Sequence, residues 1–326
     1  MAANYWDSTQ AIYWTFTKAE LAELRNQIQE NNQQIHTKFP LPDRRLMNIY
    51  MQQNLIKLGR RLTARQQALA TAQIYIKRFY LRVEMRRTNP FLIMATAVYL
   101  ACKMEEAPSH IRLVLNEAAR QFPEMGVSDM SRIGECEFAL ISTLSSRLIV
   151  HHPYRSLNEL APLFGLSNEE QTFAHNVIND SYNTDLSLLY PPHVIAITAI
   201  FLALVIRPAG QPSGLQNYAS SSSHASSPLP SPGAHQISPP SGGGPSGAAV
   251  SAASAQQALS GGMAGFKAAG PKLGKLVDWL AESKVDMAAI VDATQELVSL
   301  YELWEQQYNE RTCKEAITKF MAGMKP

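Results

Sequence analysis

Residues 90–101 read PFLIMATAVYLA and residues 192–203 read PHVIAITAIFLA, so nearly the same segment occurs twice, 102 positions apart. Each copy begins with proline, whose fixed φ and missing N–H suit the first turn of a helix. Each copy is apolar on every face, which is typical of a helix buried at the centre of a bundle. The repeat therefore predicts two similar helical bundles, each built around one of these helices.

Amphipathic patterns at helical spacing surround both copies. Around the first copy they cover residues 43–58, 64–84, 109–121 and 129–147. Around the second copy they cover residues 155–163, 167–189, 271–283 and 286–310. Thr63 with Gln66, and Ser167 with Glu170, have the spacing of helix-capping boxes. Because no segment alternates as strands do, the fold is predicted to be all-α, with two five-helix bundles and an extra N-terminal helix.

The domain boundaries follow from the same patterns. An N-terminal aromatic segment and a helix at 17–33, capped by Thr17 and Glu20, occupy residues 1–40. The predicted units are a first bundle at 41–152, a second bundle at 153–207 and 271–312, an insertion at 208–270, and a C-terminal tail at 313–326. Residues 208–266 contain no Asp, Glu, Lys or Arg and are rich in Ser, Gly and Pro, a composition that predicts disorder. Ser227, Ser231 and Ser238 each precede proline there and are candidate phosphorylation sites.

Several classes of protein are disfavoured by what the sequence lacks. Cys102, Cys136 and Cys313 are widely spaced and odd in number, which favours free thiols over disulfides or a zinc ribbon. The first residues do not resemble a signal peptide, and the apolar helices are too short to span a bilayer, so we expect a soluble intracellular protein. No phosphate loop or nucleophile motif occurs, and His151–His152 have no spaced partners for a metal. We expect no enzyme activity, metal or cofactor.

The net charge of +2 conceals a strongly basic segment. Residues 44–104 contain twelve Lys or Arg and one acid, Glu84, which gives +11 for the segment and −9 for the rest of the chain. One interpretation is a solvated basic face. The other is a surface for an acidic protein or a phosphate-bearing polymer.

Three charged residues fall where helical spacing predicts apolar ones. Glu137 lies four residues after Ile133 and three before Leu140, and Asp180 lies three after Val177. Lys103 ends a helix that has no other charge. A buried charge without a partner is costly, so these residues either form internal ion pairs, such as Lys103 with Glu137, or complete an interface with another protein.

Short segments in both repeats resemble those of the cyclin family. The first repeat carries the matching segments ACKMEE at 101–106, ECEF at 135–138 and IKRFY at 76–80. The second carries TDL at 184–186, LLYPP at 188–192 and YELW at 301–304. The chain is most similar to the C-type cyclins of the Mediator kinase module, in a fungal version. The resemblance covers residues 1–207 and 271 to about 320, and none of the insertion.

The resemblance implies a non-catalytic nuclear subunit that binds and activates a cyclin-dependent kinase and works with other Mediator kinase-module subunits in RNA polymerase II transcription. It assigns kinase binding to Lys103 and Glu137. It also implies a groove between the repeats for an activating Mediator subunit, lined by Trp6, Glu105, Asn179, Asp180 and Tyr301. It implies no membrane attachment and no direct binding of nucleic acid.

Two departures from the cell-cycle cyclins agree with this assignment. Asn48 and Asn54 stand where those cyclins have the Arg and Trp of a substrate-docking patch, and Lys77 stands where many have Asp. Three alternatives remain open at this stage: another transcriptional cyclin, a cyclin-fold general transcription factor that binds DNA, and a helical adaptor without a kinase partner.

Overall fold

The computed structural model describes residues 4–206 and 270–323, and these residues form α-helices and two short 3₁₀ turns, without any strand. Three helices precede the first bundle: α1 (Thr9–Tyr13), α2 (Lys18–Asn31) and α3 (Gln33–Lys38). The first bundle contains α4 (Arg44–Arg61), α5 (Gln66–Tyr80), α6 (Pro90–Met104), α7 (Ile111–Gln121) and α8 (Met130–Thr143). The 3₁₀ turns cover Met85–Arg87 and Pro123–Met125.

The second bundle repeats this order with one short helix added. It contains α9 (Pro153–Phe164), α10 (Asn168–Ser181), α11 (Leu186–Leu189), α12 (Pro192–Ile206), α13 (Pro271–Glu282) and α14 (Met287–Gln307). A last helix, α15 (Glu310–Gly323), follows after two residues. Within the described ranges, none of these helices is long and apolar enough to cross a membrane.

The two repeated apolar helices lie at the two bundle centres. Helix α6 packs against α4, α5, α7 and α8, while α12 packs against α9, α10, α13 and α14. Asn89 caps the N-terminus of α6 through a bond from the Leu92 N–H, and Pro90 occupies its first turn. The predicted all-α fold with two five-helix bundles is therefore confirmed, and the third main helix of each bundle is the central one.

The junction between the bundles is partly apolar. Ala70 and Ile74 of α5 belong to the core of the second bundle, although α5 is a first-bundle helix. Leu21 of α2 packs with Leu81 from the first bundle and Leu188 from the second. Helix α2, capped by Thr17 and Glu20 as predicted, thus contacts both bundles.

The N-terminal aromatic segment docks on its own chain through Trp14. Trp14 is 1% exposed, and its ring centre lies 5.0 Å from the guanidinium carbon of Arg78 and 4.6 Å from that of Arg82. The Gln10 side chain adds two hydrogen bonds with the backbone of His151, and the Phe16 N–H donates to the Leu188 carbonyl. Trp6 and Tyr13 remain exposed.

Some helix ends differ from the sequence predictions. The Ser167–Glu170 capping box is confirmed, but Thr63 and Gln66 form none, because Thr63 adopts a left-handed turn (φ 49°) and α5 is capped by Arg65 without a side-chain bond. Helix α8 stops at Thr143, just before Ser145 and Ser146, both of which have positive φ. The helix predicted over 167–189 is interrupted at 182–185.

The segment predicted as a tail at 313–326 is helical up to Gly323 and belongs to α15. Its side chains Cys313, Ile317 and Phe320 are buried in the core of the first bundle, although the preceding helix α14 belongs to the second. The insertion predicted at 208–270 lies outside the described residues except for Gly270, and so do Ser227, Ser231 and Ser238.

Candidate protein-binding sites

Lys103 and Glu137 form an ion pair at the surface of the first bundle. Lys103 ends α6 and Glu137 lies in the middle of α8, and these two helices pack against each other. The Lys103 ammonium also lies 4.5 Å from the centre of the Tyr99 ring. The Lys103 side chain is 38% exposed and that of Glu137 is 15% exposed, so in the free chain each charge has its partner while the pair stays accessible to another protein.

Large apolar side chains are exposed on the helices that carry this pair and on a neighbouring helix. Phe138, next to Glu137, is 75% exposed, and Met104, next to Lys103, is also exposed. Leu113 is exposed on α7, which packs against both α6 and α8. Apolar residues grouped around a charge pair are typical of a protein-binding surface. We refer to Lys103, Met104, Glu137 and Phe138 as the ion-pair face.

Glu105 lies just beyond α6 and is held by the first turns of α5. Its carboxylate accepts hydrogen bonds from the Thr71 hydroxyl at 2.6 Å and from the Gln67 amide at 2.7 Å. Burial alone would raise the pKa of Glu105, but hydrogen bonds from His152, Thr71 and Gln67 hold it below its usual value. Glu105 is therefore an ionised, immobilised carboxylate between the bundles.

His152 connects this carboxylate to the second bundle. Its Nε2 lies 2.7 Å from the Thr71 hydroxyl and its Nδ1 lies 2.7 Å from the Tyr182 hydroxyl. Because Thr71 donates to Glu105, we assign the proton of His152 to Nε2, which leaves Nδ1 to accept from Tyr182. Burial lowers the pKa of His152, which keeps the imidazole neutral. His152 is thus a structural residue that is saturated with hydrogen bonds.

Asn179 is held from both bundles. Its side-chain oxygen accepts from the Tyr154 hydroxyl at 2.7 Å and from the Gln66 amide at 3.1 Å. Gln66 and Gln67 are neighbours at the start of α5, so this one helical turn positions Asn179 of the second bundle and Glu105 of the first. These two predicted groove residues are therefore linked through α5.

Asp180 and Tyr301 contact each other directly. The Tyr301 hydroxyl donates to Oδ2 of Asp180 at 3.2 Å, and Tyr301 is 1% exposed. Burial raises the pKa of Asp180 to about 7, an effect that the hydrogen bond from Tyr301 only partly offsets. Asp180 is a poorly solvated carboxyl with a single recorded hydrogen-bond donor, so it would gain from a second donor or a cation supplied by a partner.

Replacing Asp180 by asparagine should stabilise the chain at pH 8 and leave its stability unchanged at pH 4. A carboxyl whose pKa is higher in the folded state loses stability as pH rises from about 4 to 7, because the unfolded chain ionises first. Asparagine removes that loss and can still accept from Tyr301. We expect a gain of roughly 1–3 kcal/mol at pH 8, reduced by partial solvent exposure. Urea unfolding at both pH values measures it, and an equal gain at pH 4 would contradict the explanation.

Trp6 is separate from the other four predicted groove residues. Its ring is 63% exposed and lies near Tyr5, at 5.2 Å, and near His193 at the start of α12, at 5.9 Å. No contact of Trp6 with Glu105, Asn179, Asp180 or Tyr301 is recorded in the described part of the chain. The structure thus brings two pairs of groove residues near each other and leaves Trp6 as an exposed ring nearer to α12.

One charged cluster was not foreseen from the sequence. Asp185 pairs with Arg25 of α2 at 3.0 Å and with Arg44 of α4 at 2.7 Å. Burial would raise the pKa of Asp185, but Arg44, Arg25 and Lys77 lower it. Lys77 donates to the Thr184 carbonyl, and burial lowers its pKa to about 8. The lysine that departs from the cell-cycle pattern therefore joins the two bundles.

Most of the basic segment is neutralised or engaged within the chain. Of the twelve cations between residues 44 and 104, nine contact other residues: Arg44, Arg45, Lys57, Arg61, Lys77, Arg78, Arg82, Arg86 and Lys103. Their carboxylate partners include Asp185, Glu310 and Glu117 from outside the segment. The interpretation as a solvated basic face is therefore only partly correct. Among the described residues no group of three or more His, Cys, Asp or Glu is arranged to hold a metal.

Comparison with known proteins agrees with this geometry. The family model "Cyclin, N-terminal domain" matches residues 11–149. A protein of Emericella nidulans named "RNA polymerase II holoenzyme cyclin-like subunit" is 50% identical over 321 residues, covering 98% of each chain. A Neurospora crassa protein of the same name is 47% identical over 352 residues, again covering 98% of each chain.

A solved structure shares the fold. One chain in the structure of a CAK complex from Chaetomium thermophilum bound to ATP-γ-S matches with a TM-score of 0.58 and 18% identity, over 98% of this chain and 88% of that one. The relatives and the matching family model show that the chain belongs to the cyclin family. Cyclins are regulatory subunits of protein kinases and are not themselves catalytic, so the chain is a regulatory subunit and no catalytic residue is assigned.

Proposed function

We propose that this chain is a cyclin of the C type, which binds and activates the cyclin-dependent kinase of the Mediator kinase module. Through that kinase it regulates RNA polymerase II transcription in the nucleus, by activation or repression. The names of the relatives at 50% and 47% identity support the link to the polymerase, since both similarities extend over nearly the whole chain. The proposal that the chain binds a kinase rests on the ion-pair face.

The mechanism is a shift of population in the kinase. A kinase of this class is active when its regulatory helix is held so that a Lys–Glu ion pair forms at the nucleotide site. The ion-pair face offers one cation, one anion and the apolar side chains Phe138 and Met104, which can contact both the polar backbone and the apolar side chains of such a helix. Binding energy released only with the active conformation moves the kinase toward that conformation.

The inter-repeat groove is proposed as the second binding site, for another subunit of the Mediator kinase module. Asp180 supports this proposal because, among the described residues, only Tyr301 donates a hydrogen bond to its carboxyl. Helix α5 holds the other predicted groove residues, Glu105 and Asn179, in fixed positions. Pre-positioned polar groups lose little entropy when a partner binds. Trp6 adds an exposed aromatic ring at the α12 end.

The DNA-binding alternative is disfavoured by charge compensation. Six of the twelve cations of the basic segment pair with carboxylates of the chain, and three more donate to backbone carbonyls, so few remain to displace counterions from phosphates. We therefore expect weak binding to duplex DNA, with a shallow dependence on salt.

Affinity purification of the tagged chain at moderate salt, followed by mass spectrometry and a kinase assay, tests the proposal. Recovery of a cyclin-dependent kinase with Mediator subunits is the expected result. A different kinase without Mediator would identify another transcriptional cyclin. DNA or polymerase without any kinase would overturn the proposal, as would an adaptor-like set of partners without a kinase.

Combined replacement of Trp6 and Asp180 by alanine should spare kinase binding and lower kinase activity in the complete module, by about tenfold if a single good contact is lost. Neither residue lies on the ion-pair face, so a loss of kinase affinity would show that the groove is wrongly assigned. The matched control is alanine at Ile12, an apolar residue of the same segment that is 61% exposed and outside the groove. The measurements are kinase pull-down and module activity on one preparation.

A further inference from the structure

Helix α15 binds the first bundle as a ligand binds a groove. It follows α14 of the second bundle after only Tyr308 and Asn309, and then lies across α4 of the first bundle. Its three buried side chains, Cys313, Ile317 and Phe320, fall at spacings of four and three residues on one face. That spacing is how an amphipathic helix fills an apolar groove in another protein.

The groove is formed by α4, by Phe39 ahead of it and by the two 3₁₀ turns at Met85–Arg87 and Pro123–Met125. The Cys313 thiol lies 3.9 Å from the Leu46 carbonyl, and the Tyr308 hydroxyl donates to Gln53 at 3.3 Å. At the other end Gly323 packs directly on the Phe39 ring, which leaves no room for a Cβ at this position. We refer to Phe39, Leu46, Gln53 and Glu124 as the α4 groove.

The polar contacts of α15 with the groove lie at the surface. Lys57 pairs with Glu310, and Lys314 pairs with Glu124 at 2.7 Å, with side chains that are 26–47% exposed. Exposed ion pairs of this kind contribute little to stability. Apart from them and the Tyr308 bond, α15 is held by its three buried side chains, by the partly buried Met321 and by the packing of Gly323 on Phe39. A helix of 14 residues is marginal by itself in water, so α15 is expected to unfold when it leaves the groove.

We propose that the α4 groove is a helix-docking site whose resident ligand is the chain's own helix α15, and that α15 leaves it by local unfolding while both bundles stay folded. While α15 is bound, the apolar face of α4 is closed to any other protein. The two-residue connection to α14 keeps α15 at high effective concentration, so the closed state predominates. This inference does not depend on the identity of the kinase or on the Mediator assignment.

Native-state hydrogen exchange of the full chain is the first test. The amides of α15 should exchange through a local opening that low concentrations of urea hardly affect, at least about 100-fold faster than the amides of the central helix α6. The amides of α6 should exchange only with global unfolding, at a rate that rises with urea. Equal protection and equal urea dependence for α15 and α6 would overturn the proposal.

A cleaved chain provides the second test. A specific protease site is inserted between Tyr308 and Asn309, the full chain is folded and cut, and labelled peptide 309–326 is added in excess. The labelled peptide should replace the resident one, and the same peptide with Ile317→Asp should not. The matched control peptide carries Thr312→Asp on the exposed face of the helix and should still exchange.

Three outcomes of the peptide experiment would contradict the inference. If the labelled peptide replaces the resident one only under conditions that unfold the whole cut protein, α15 is a permanent part of the first bundle. Equal binding of the peptide to the uncut chain would place its site elsewhere. An Ile317→Asp peptide that binds as well as the control would exclude the buried face as the ligand.

Discussion

Double replacement of Lys103 and Glu137 by alanine should weaken kinase binding by about 2–5 kcal/mol, or roughly 30-fold to several thousand-fold, if both charges are desolvated in the complex. In the free chain the two side chains satisfy each other. In the complex each would face a polar group of the kinase, so the double replacement leaves those kinase groups buried without partners. Titration of the purified kinase with each variant, followed by fluorescence anisotropy, measures the loss.

The same helix offers a matched control. Arg132 and Glu135 form an ion pair at 2.8 Å on α8, with side chains that are 59% and 62% exposed. Alanine at both positions removes the same two charges about one turn away and should leave kinase affinity unchanged. Both double variants should unfold within about 1 kcal/mol of the parent, since exposed pairs contribute little to stability. Equal affinities for the two double variants would refute the assignment of the ion-pair face.

The sequence was sufficient for the fold because the evidence was local and duplicated. The two copies of the central helix are apolar on all faces, so each had to lie inside a bundle, and both do. The sequence marked Lys103 and Glu137 as unusual and offered their pairing as one of two interpretations, because a charge placed among Ile133 and Leu140 needs a partner, and the structure shows that pair. Asp180 was recognised as unusual by the same spacing argument.

What the sequence did not reveal depends on contacts between distant segments. His152, Thr71 and Glu105 are polar residues that look unrelated in sequence, and only the packing of the bundles joins them. Asp185 could not be assigned its partners Arg25 and Arg44, which lie 160 and 141 residues away along the chain. The left-handed turn at Thr63 is set by tertiary packing and not by residue type, since threonine disfavours positive φ.

Helix α15 shows a different limit. The apolar residues Cys313, Ile317 and Phe320 have helical spacing, but three such positions among lysines, threonines and glutamates give a weak signal. Isolated helices of this length are marginal, so local propensity does not decide whether the segment folds. The decision comes from the α4 groove, which supplies the apolar partner.

Replacement of Trp14 by alanine should reduce the free energy of unfolding by about 3–5 kcal/mol, the usual cost of removing a large buried aromatic side chain. The loss should reach the upper part of that range, because the Trp14 ring also covers the buried Arg78 guanidinium, whose Nε and Nη2 have no recorded hydrogen-bond partner. Burial already lowers the pKa of Arg78 to about 9. Water that enters the cavity left by Trp14→Ala would hydrate the Arg78 guanidinium, but the apolar contacts of the ring would still be lost. Urea unfolding of the kinase-free chain measures the change.

Replacement of the neighbouring Tyr13 distinguishes the stability that comes from burying an aromatic ring from the stability that comes from its contact with a cation. Its ring lies 3.4 Å from the Arg147 guanidinium carbon but is 45% exposed, so Tyr13→Ala should cost only about 1 kcal/mol or less. Trp14→Phe keeps an aromatic face against Arg78 and Arg82 and should recover more than half of the loss. If Trp14→Ala costs no more than Tyr13→Ala, the N-terminal segment is not anchored by this ring. If the large loss is observed, Trp14 fixes the segment that carries Gln10 to His151 and so supports the neighbouring His152 between the bundles.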